Sequence, residues 1–486
     1  MHRKPWLLIP TLFLLVLNAC AAPASPTPLL LASPTMAISE VAPVQEITPT
    51  LPNDIPTEPP RSTETPAPTP SPTPEPVTLL EVEASQLTGV AIQFWHSFSG
   101  ARERLLSEWA DTFNASNTYG ITVELARQDS LFNTVRDAIR AGSPPHLTIA
   151  FTNQAAAWDL AGAPPGSAFV DLTPYMTDPV YGYADDEMAD FYSAFLEQET
   201  VDGKLIGFPT YRSAQVMFYN VTWAQELGFQ APPTTPDEFN AQSCAASQAR
   251  VDGTGGWFVN TDTATTLSWI FAFEGQILSP EGGYTFNTPE ATAAFGFIRE
   301  LYAEGCAWRP EPTFPNAEFA TRQGLFYSSG LNGLFFQQQA FEEAGSTDQW
   351  TMIPFPSPDG QPVTHIFGPA YNVFKTTPEG QLAAWLFIQW VSSPANQARW
   401  TEISGSYPTR ASAIEYLNPY IAGLPQWTRA YDLVPRGKNE PSLPSWGTVR
   451  WVVSDAAAQL FGFGFSADKI PGILEELERT ANEVGG

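Results

Sequence analysis

Between residues 90 and 151 the apolar residues change their spacing four times, and that alternation leaves few folds open. Residues 90–94, 121–125 and 147–151 are short apolar runs of strand length. Between the first two, Leu105, Leu106, Trp109, Ala110 and Phe113 recur at helical spacing. Between the second and third, Leu131, Val135, Ala138 and Ile139 do the same, and Gly142 provides the stop. Strand, helix, strand, helix, strand predicts a parallel sheet, because parallel neighbours must be joined by crossovers and helices are the usual crossover. Ligands of such sheets bind beyond the carboxyl ends of the strands. The first strand runs out at that point into Trp95, His96 and Ser97.

The chain ahead of this region has another character. Arg3 and Lys4 precede about fifteen mostly apolar residues, short of the roughly twenty needed to span a bilayer, so residues 1–19 are expected to be an export signal. The apolar core closes on Leu17, Asn18, Ala19 and Cys20, which resembles the lipobox of bacterial lipoproteins. That resemblance makes Cys20 the lipidated anchor, the alternative being a cysteine that happens to end an ordinary signal. Residues 20–80 include the stretch PTEPPRSTETPAPTPSPTPEP, which is poor in aromatics and cannot bury enough apolar surface to offset its chain entropy. It reads as an extended, semi-rigid tether. The expected location is the outer face of the cytoplasmic membrane.

The remaining four hundred or so residues hold most of the 15 Trp, 15 Tyr and 32 Phe of the chain, ample for two cores of domain size. A net charge of −28, from 51 acidic and 23 basic residues, argues against a nucleic-acid partner, since a phosphate backbone would be repelled. With Cys20 assigned to the anchor, Cys244 and Cys306 remain. In an oxidising compartment they form either a disulfide or two buried free thiols. His2, His96, His146 and His365 have no metal-ligand spacing, so neither a metal nor another cofactor is expected. Further on, Thr235 caps a helix with Pro236 in the first turn and Glu238 placed to complete a capping box. Other helices are expected at 288–302, 381–392 and 470–482.

A series of short motifs runs through this body: FWHSFSG, DAIRAGSPPHL, GKLIGFPTYRSAQVMFYN, GFQAPPTTPDEF, GCAW followed by FATRQGLFYSSG, HIFGPAYNVFK and ISGSYPTRASA. In this order and at these spacings the body resembles the family 1 extracellular solute-binding proteins, receptors of ATP-driven importers for sugars and glycerol phosphates. The resemblance implies a two-lobed, type II periplasmic-binding-protein-like α/β fold with a hinge of crossing strands and the ligand in the cleft between lobes. Transferred to this chain, lobe 1 comprises residues 82–213 and 368–412 and lobe 2 comprises 214–367 and 413–486, with crossings near Gln215, Phe367 and Ala413.

The same resemblance supplies candidate ligand contacts. Trp95, His96 and Ser97 stand at the first strand end, and Tyr211, Arg212 and Ser213 stand where the chain enters the hinge. Ser329, next to Gly330, and Ser213 match ligand-contacting serines, Gly368 matches a glycine whose backbone meets ligand, and Arg450 in WGTVRW matches an arginine contact. Three positions depart from the glycerol-phosphate receptors. Gln128 replaces a tyrosine, Thr152 an acidic residue, and Ser406 a tyrosine, with Tyr407 adjacent. Trp269 and Trp257 fall where related sugar binders place stacking aromatics, although a chain so rich in tryptophan needs some of them for its core. His96 has no GxSxG-type nucleophile to accompany it.

These features predict a monomeric receptor that hands its solute to permease subunits of an ABC importer. A neutral saccharide, and among saccharides an oligosaccharide, is preferred because burying a phosphate dianion needs charge-assisted donors and lysines are scarce. A glycerol 3-phosphate or glycerophosphodiester receptor is the runner-up. A secreted carbohydrate-active enzyme is a rival, but it would need two carboxylates about 5 to 10 Å apart, and no acid pair stands in the motifs. A receptor feeding a sensor kinase is a further alternative.

Overall fold

The computed structural model describes residues 76–485; the expected signal, Cys20 and the tether as far as residue 75 lie outside the described residues. Two sheets organise this body. In the first, the strands Ala91–His96, Thr122–Arg127 and Leu147–Ala150 pair in parallel, with the first strand in the middle. The helices Gly100–Ser116 and Leu131–Arg140 connect them, as the spacing predicts. Two strands from later in the chain complete this sheet: Ala370–Val373 runs antiparallel to Leu147–Ala150, and Phe208–Pro209 pairs with Ala370–Val373.

The second sheet is built on Ser213–Asn220, all eight residues of which are buried. Thr364–Phe367, Trp350–Ile353 and Phe326–Gly330 all pair antiparallel with it. Its side chains alternate between two cores: Ala214, Val216 and Phe218 join one, Met217 and Tyr219 the other. That is the period of two expected of a strand covered on both faces. The remaining core packs the first sheet beneath Trp109, Trp385 and Trp400.

The chain passes between the sheets at two places, residues 210–212 and 368–369, since Phe208–Pro209 and Ala370–Val373 belong to the first sheet and Ser213–Asn220 and Thr364–Phe367 to the second. A third segment lies beside them. The helix Pro394–Ser404 ends at Gly405 (φ 69°), and Tyr407 then exchanges backbone hydrogen bonds with Arg212, at 2.6 and 3.1 Å. The Thr210 amide and hydroxyl both donate to the Pro369 carbonyl, at 3.1 and 2.7 Å. At Gly368 a Cβ would come within 2.3 Å of the Tyr211 carbonyl oxygen, so only glycine lets these segments approach.

Local signals hold up well. Thr235 accepts a hydrogen bond from the Glu238 amide, and Glu238 reaches back to close the capping box at the start of Pro236–Gln248. The three later helices run over Pro289–Ala303, Pro378–Val391 and Ile470–Gly485. Cys244 and Cys306 are disulfide-bonded, with their Cα atoms 4.3 Å apart. Among the described residues no helix is long and apolar enough to cross a membrane.

Candidate ligand cleft

Both sheets send residues to one elongated cavity. From the first come the ends of its parallel strands and the starts of the helices that follow: Ser97, Arg102, Asp129, Phe132, Phe151 and Gln154. From the second come Gln215, Asp262 at the N-cap of Thr263–Ala272, Asn332, Phe367, and the Arg450–Trp451 pair on Trp446–Gln459. The space divides into two volumes of about 820 and about 860 Å³, which share Phe132, Phe151, Gln154 and Asn332 as common walls. Each is near the upper end of the roughly 300–1,000 Å³ that suits one drug-sized ligand.

The walls carry exposed aromatic rings. Phe132 is 37% exposed, Phe336 63%, Phe314 72% and Trp451 73%, and all four line this space. Leaving such rings in water forgoes burial worth about 1.5–3 kcal/mol for a side chain of this class, so a cluster of them around one cavity marks a surface that gains by covering. The C–H faces of sugar rings stack on such surfaces while amides and carboxylates take the hydroxyls. Gln154, Asn332 and Gln215 supply amides. The Gln215 amide is fixed by donating to the Thr265 hydroxyl at 2.9 Å.

Fixed charge in the cavity is balanced. Its cations are Arg102 and Arg450 and its carboxylates Asp129 and Asp262. Arg102 lies over the Tyr211 ring, 5.8 Å from its centroid. Arg450 is held 3.5 Å from the buried Glu440, which also accepts from the Trp446 indole at 3.0 Å and lies 3.4 Å from His365. Burial opposes ionisation of Glu440, but His365, Arg450 and Trp446 together keep its carboxyl below the usual range, so it stays an anion behind Arg450. Asp262 is occupied by the Thr265 amide at 2.6 Å and the Asn260 amide at 2.8 Å.

Of the residues singled out from the sequence, Ser97, Tyr211 and Arg450 line the cavity, as does Gly330 beside Ser329. The others lie elsewhere. Trp269 is fully buried among Phe239, Trp257, Phe297 and Phe355, with no face left for a ligand, and Trp257 is buried with it. Arg212 is wholly buried and paired with Glu199, which also accepts from Thr152 at 2.7 Å. These three therefore hold the crossing segments together and do not face the cavity. Gly368 makes its close approach to Tyr211 and Arg212 of the protein itself. Tyr407 is buried with its hydroxyl donating to the Ala430 carbonyl at 2.5 Å. His96 is buried between Phe94 and Phe98, and burial lowers its pKa, so its imidazole is neutral. Trp95 packs half-buried on the first core, Gln128 is half-buried at the end of its strand, Ser213 is buried at the crossing and Ser329 sits beside Tyr327. Phe132, Phe151, Gln154, Phe314, Asn332, Phe336 and Trp451 escaped the sequence reading. For Trp451 a signal exists: Trp446, Val449, Val453 and Ala456 trace the buried stripe of its helix, and position 451 lies off it.

Residues 108–430 match the family described as bacterial extracellular solute-binding proteins. The chain is 23% identical over 350 residues to the sn-glycerol-3-phosphate-binding periplasmic protein UgpB of Agrobacterium fabrum, an alignment covering 69% of this chain and 77% of that one. A probable ABC transporter-binding protein of Deinococcus radiodurans is 32% identical over 124 residues, 24% of this chain; the chain spans only 30% of that relative's length. Among solved structures, the cyclic α-maltosyl-1,6-maltose binding protein of Arthrobacter globiformis superposes with a TM-score of 0.70 at 20% identity, covering 81% of this chain and 98% of that one. UgpB of Mycobacterium tuberculosis in complex with glycerophosphocholine superposes with a TM-score of 0.63 at 19% identity, covering 81% and 98%. These neighbours share the two-lobed α/β architecture. The chain belongs to the bacterial extracellular solute-binding proteins, with its candidate site in the cleft that both sheets line.

Proposed function

We propose that this protein is the substrate-binding lipoprotein of an ABC importer and captures an uncharged oligosaccharide in the aromatic cleft. The observation that carries the reading is the set of four exposed rings, Phe132, Phe314, Phe336 and Trp451, around a cavity whose two arginines each have a companion within the protein. A phosphate dianion would need donors free of such commitments. Two lobes, 82–213 with 368–412 and 214–367 with 413–486, would close on the ligand about the crossing segments and present it to the permease. Cys20 would carry the lipid that keeps a monomeric receptor at the outer face of the cytoplasmic membrane, and changing it to Ser should release the protein into the medium.

The second reading, a glycerol 3-phosphate or glycerophosphodiester receptor, is favoured by the alignment over 69% of the chain with the Agrobacterium protein. Thermal-shift measurements with mono- and oligosaccharides beside glycerol phosphates and glycerophosphocholine separate the two. A ligand at a hundred times its Kd should add about 2.7 kcal/mol of stability. Stabilisation by saccharides alone supports the proposal. Stabilisation by phosphates alone, lost in Arg450→Ala, replaces it with the second reading. An enzyme would release new reducing ends from the same oligosaccharides, and a binding protein leaves them intact.

A further inference from the structure

The aromatic cleft does not end at Trp451. A further cavity of about 310 Å³ shares Asp262 and Ser454 with it and continues along Asn260, Arg309, Glu311 and Thr313. The far wall of this side groove is the segment 309–315, RPEPTFP, in which three prolines fix the backbone of a loop with little freedom to lose. That loop holds Phe314 72% exposed over the junction, on the wall of the central cleft. At the same junction stands Asp262. Its carboxylate is oriented by the Thr265 and Asn260 amides, and the Asn260 amide is steadied in turn by the Ser328 carbonyl at 3.3 Å. A preset carboxylate beside an exposed ring suits a pair of sugar hydroxyls and the C–H face of the same unit. Beyond it, Arg309 and Glu311 are both exposed, one donor group and one acceptor group at the outer end.

Resting on the saccharide reading of the same cleft, we infer that the ligand is a linear oligosaccharide longer than the central cleft encloses, with one end running over Asp262 and Phe314 into the groove at Arg309 and Glu311. The joined volumes already exceed what a disaccharide fills, and the side groove leads out of the cleft, so a chain placed there continues past the region that closure covers. A compact ring-shaped sugar of the same composition cannot reach both ends. The loop 309–315 thus sets chain-length preference, while the rings nearer the crossing segments hold the enclosed units.

The test is calorimetric titration of the wild-type protein with two linear series, maltose to maltohexaose and cellobiose to cellohexaose, and with β-cyclodextrin as the closed-ring control. One linear series should show affinity rising through the tetrasaccharide and beyond, with the cyclic sugar weaker than the linear one of similar size. Arg309→Ala and Glu311→Ala, which line the side groove alone, should each weaken hexasaccharide binding about tenfold more than they weaken disaccharide binding, a difference of about 1.4 kcal/mol. Both positions are on the surface, and an unchanged melting temperature of the free protein confirms folding. Affinity that is flat with chain length, or variants that weaken short and long sugars by the same factor, overturns the side groove while leaving a saccharide receptor standing. Binding of glycerophosphocholine or glycerol 3-phosphate with no saccharide bound overturns the saccharide reading itself, and the side groove with it.

Discussion

Arg212 and Arg450 carry the same charge and end in opposite surroundings. Arg212 is sealed in the interior against Glu199, donating also to the Pro369 and Phe195 carbonyls at 3.0 and 3.1 Å, whereas Arg450 reaches the cleft with Glu440 behind it. Removing one member of a buried pair strands the other, so Arg212→Met should cost about 3–5 kcal/mol in a denaturant titration. A loss under about 1 kcal/mol would mean that the crossing segments do not depend on the pair. Asp178 offers a pH-dependent case. Burial works against its charge, but the Leu79, Tyr181 and Val180 amides and the Thr78 hydroxyl all donate to it, and its pKa is depressed. A carboxyl lowered on folding contributes stability in full above its unfolded pKa, about 3.9, and loses that contribution as the pH falls through its folded pKa. Asp178→Asn should therefore cost about 1–3 kcal/mol near neutrality, with the gap to wild type narrowing below about pH 4. Urea midpoints across that range decide it, and a gap unchanged in acid would contradict the assignment. The cleft position of Arg450 was legible in the sequence, but the burial of Arg212 and of Asp178 was not. Glu199 precedes Arg212 by little in the chain, yet only the turn between the two short strands at residues 200–205 brings the carboxylate under the guanidinium.

At the scale of elements, what could be read locally was read. The opening strand and helix alternation and the Thr235 cap depend on residues within one or two turns of one another, and the structure follows them closely. Which tryptophan faces ligand depends on packing from distant parts of the chain. Trp269 and Trp451 both sit on helices, but Trp269 is closed in by rings from residues 239, 297 and 355, and Trp451 is left open. Tertiary contacts override composition there, and Phe132, Phe314 and Phe336 went unnoticed for the same reason. The disulfide acts at this scale too, closing a separation of 62 residues between Cys244 in the helix Pro236–Gln248 and Cys306, the residue just before the strand Ala307–Trp308. Loop closure of that length is worth about 4 kcal/mol in the chain-entropy description. Cys306→Ser should lower stability by roughly that amount, measured by chemical denaturation without reductant, and wild type treated with reductant should fall to the same level. A variant as stable as the oxidised wild type would contradict it.

For the molecule as a whole, two sheets are joined by segments at 210–212 and 368–369, with the cleft lined from both. Ligand closure should lower the radius of gyration in small-angle scattering, and a tightly bound ligand that leaves it unchanged would argue for a rigid body. The two-lobed plan was legible because the motif order spans nearly the whole body. The chemistry of the cleft was less so, since its walls are assembled from both sheets, from the turn at 129–130 with the start of the helix Leu131–Arg140, and from the loop 309–315. The central claim is that exposed rings hold an uncharged sugar. It is tested most directly by titrating wild type and Trp451→Ala calorimetrically with the saccharide that stabilises the protein, at low and high salt. Affinity that is insensitive to salt in wild type and falls about tenfold or more in Trp451→Ala is the predicted result. Affinity that falls steeply with salt, or that survives the loss of the Trp451 ring unchanged, would contradict it.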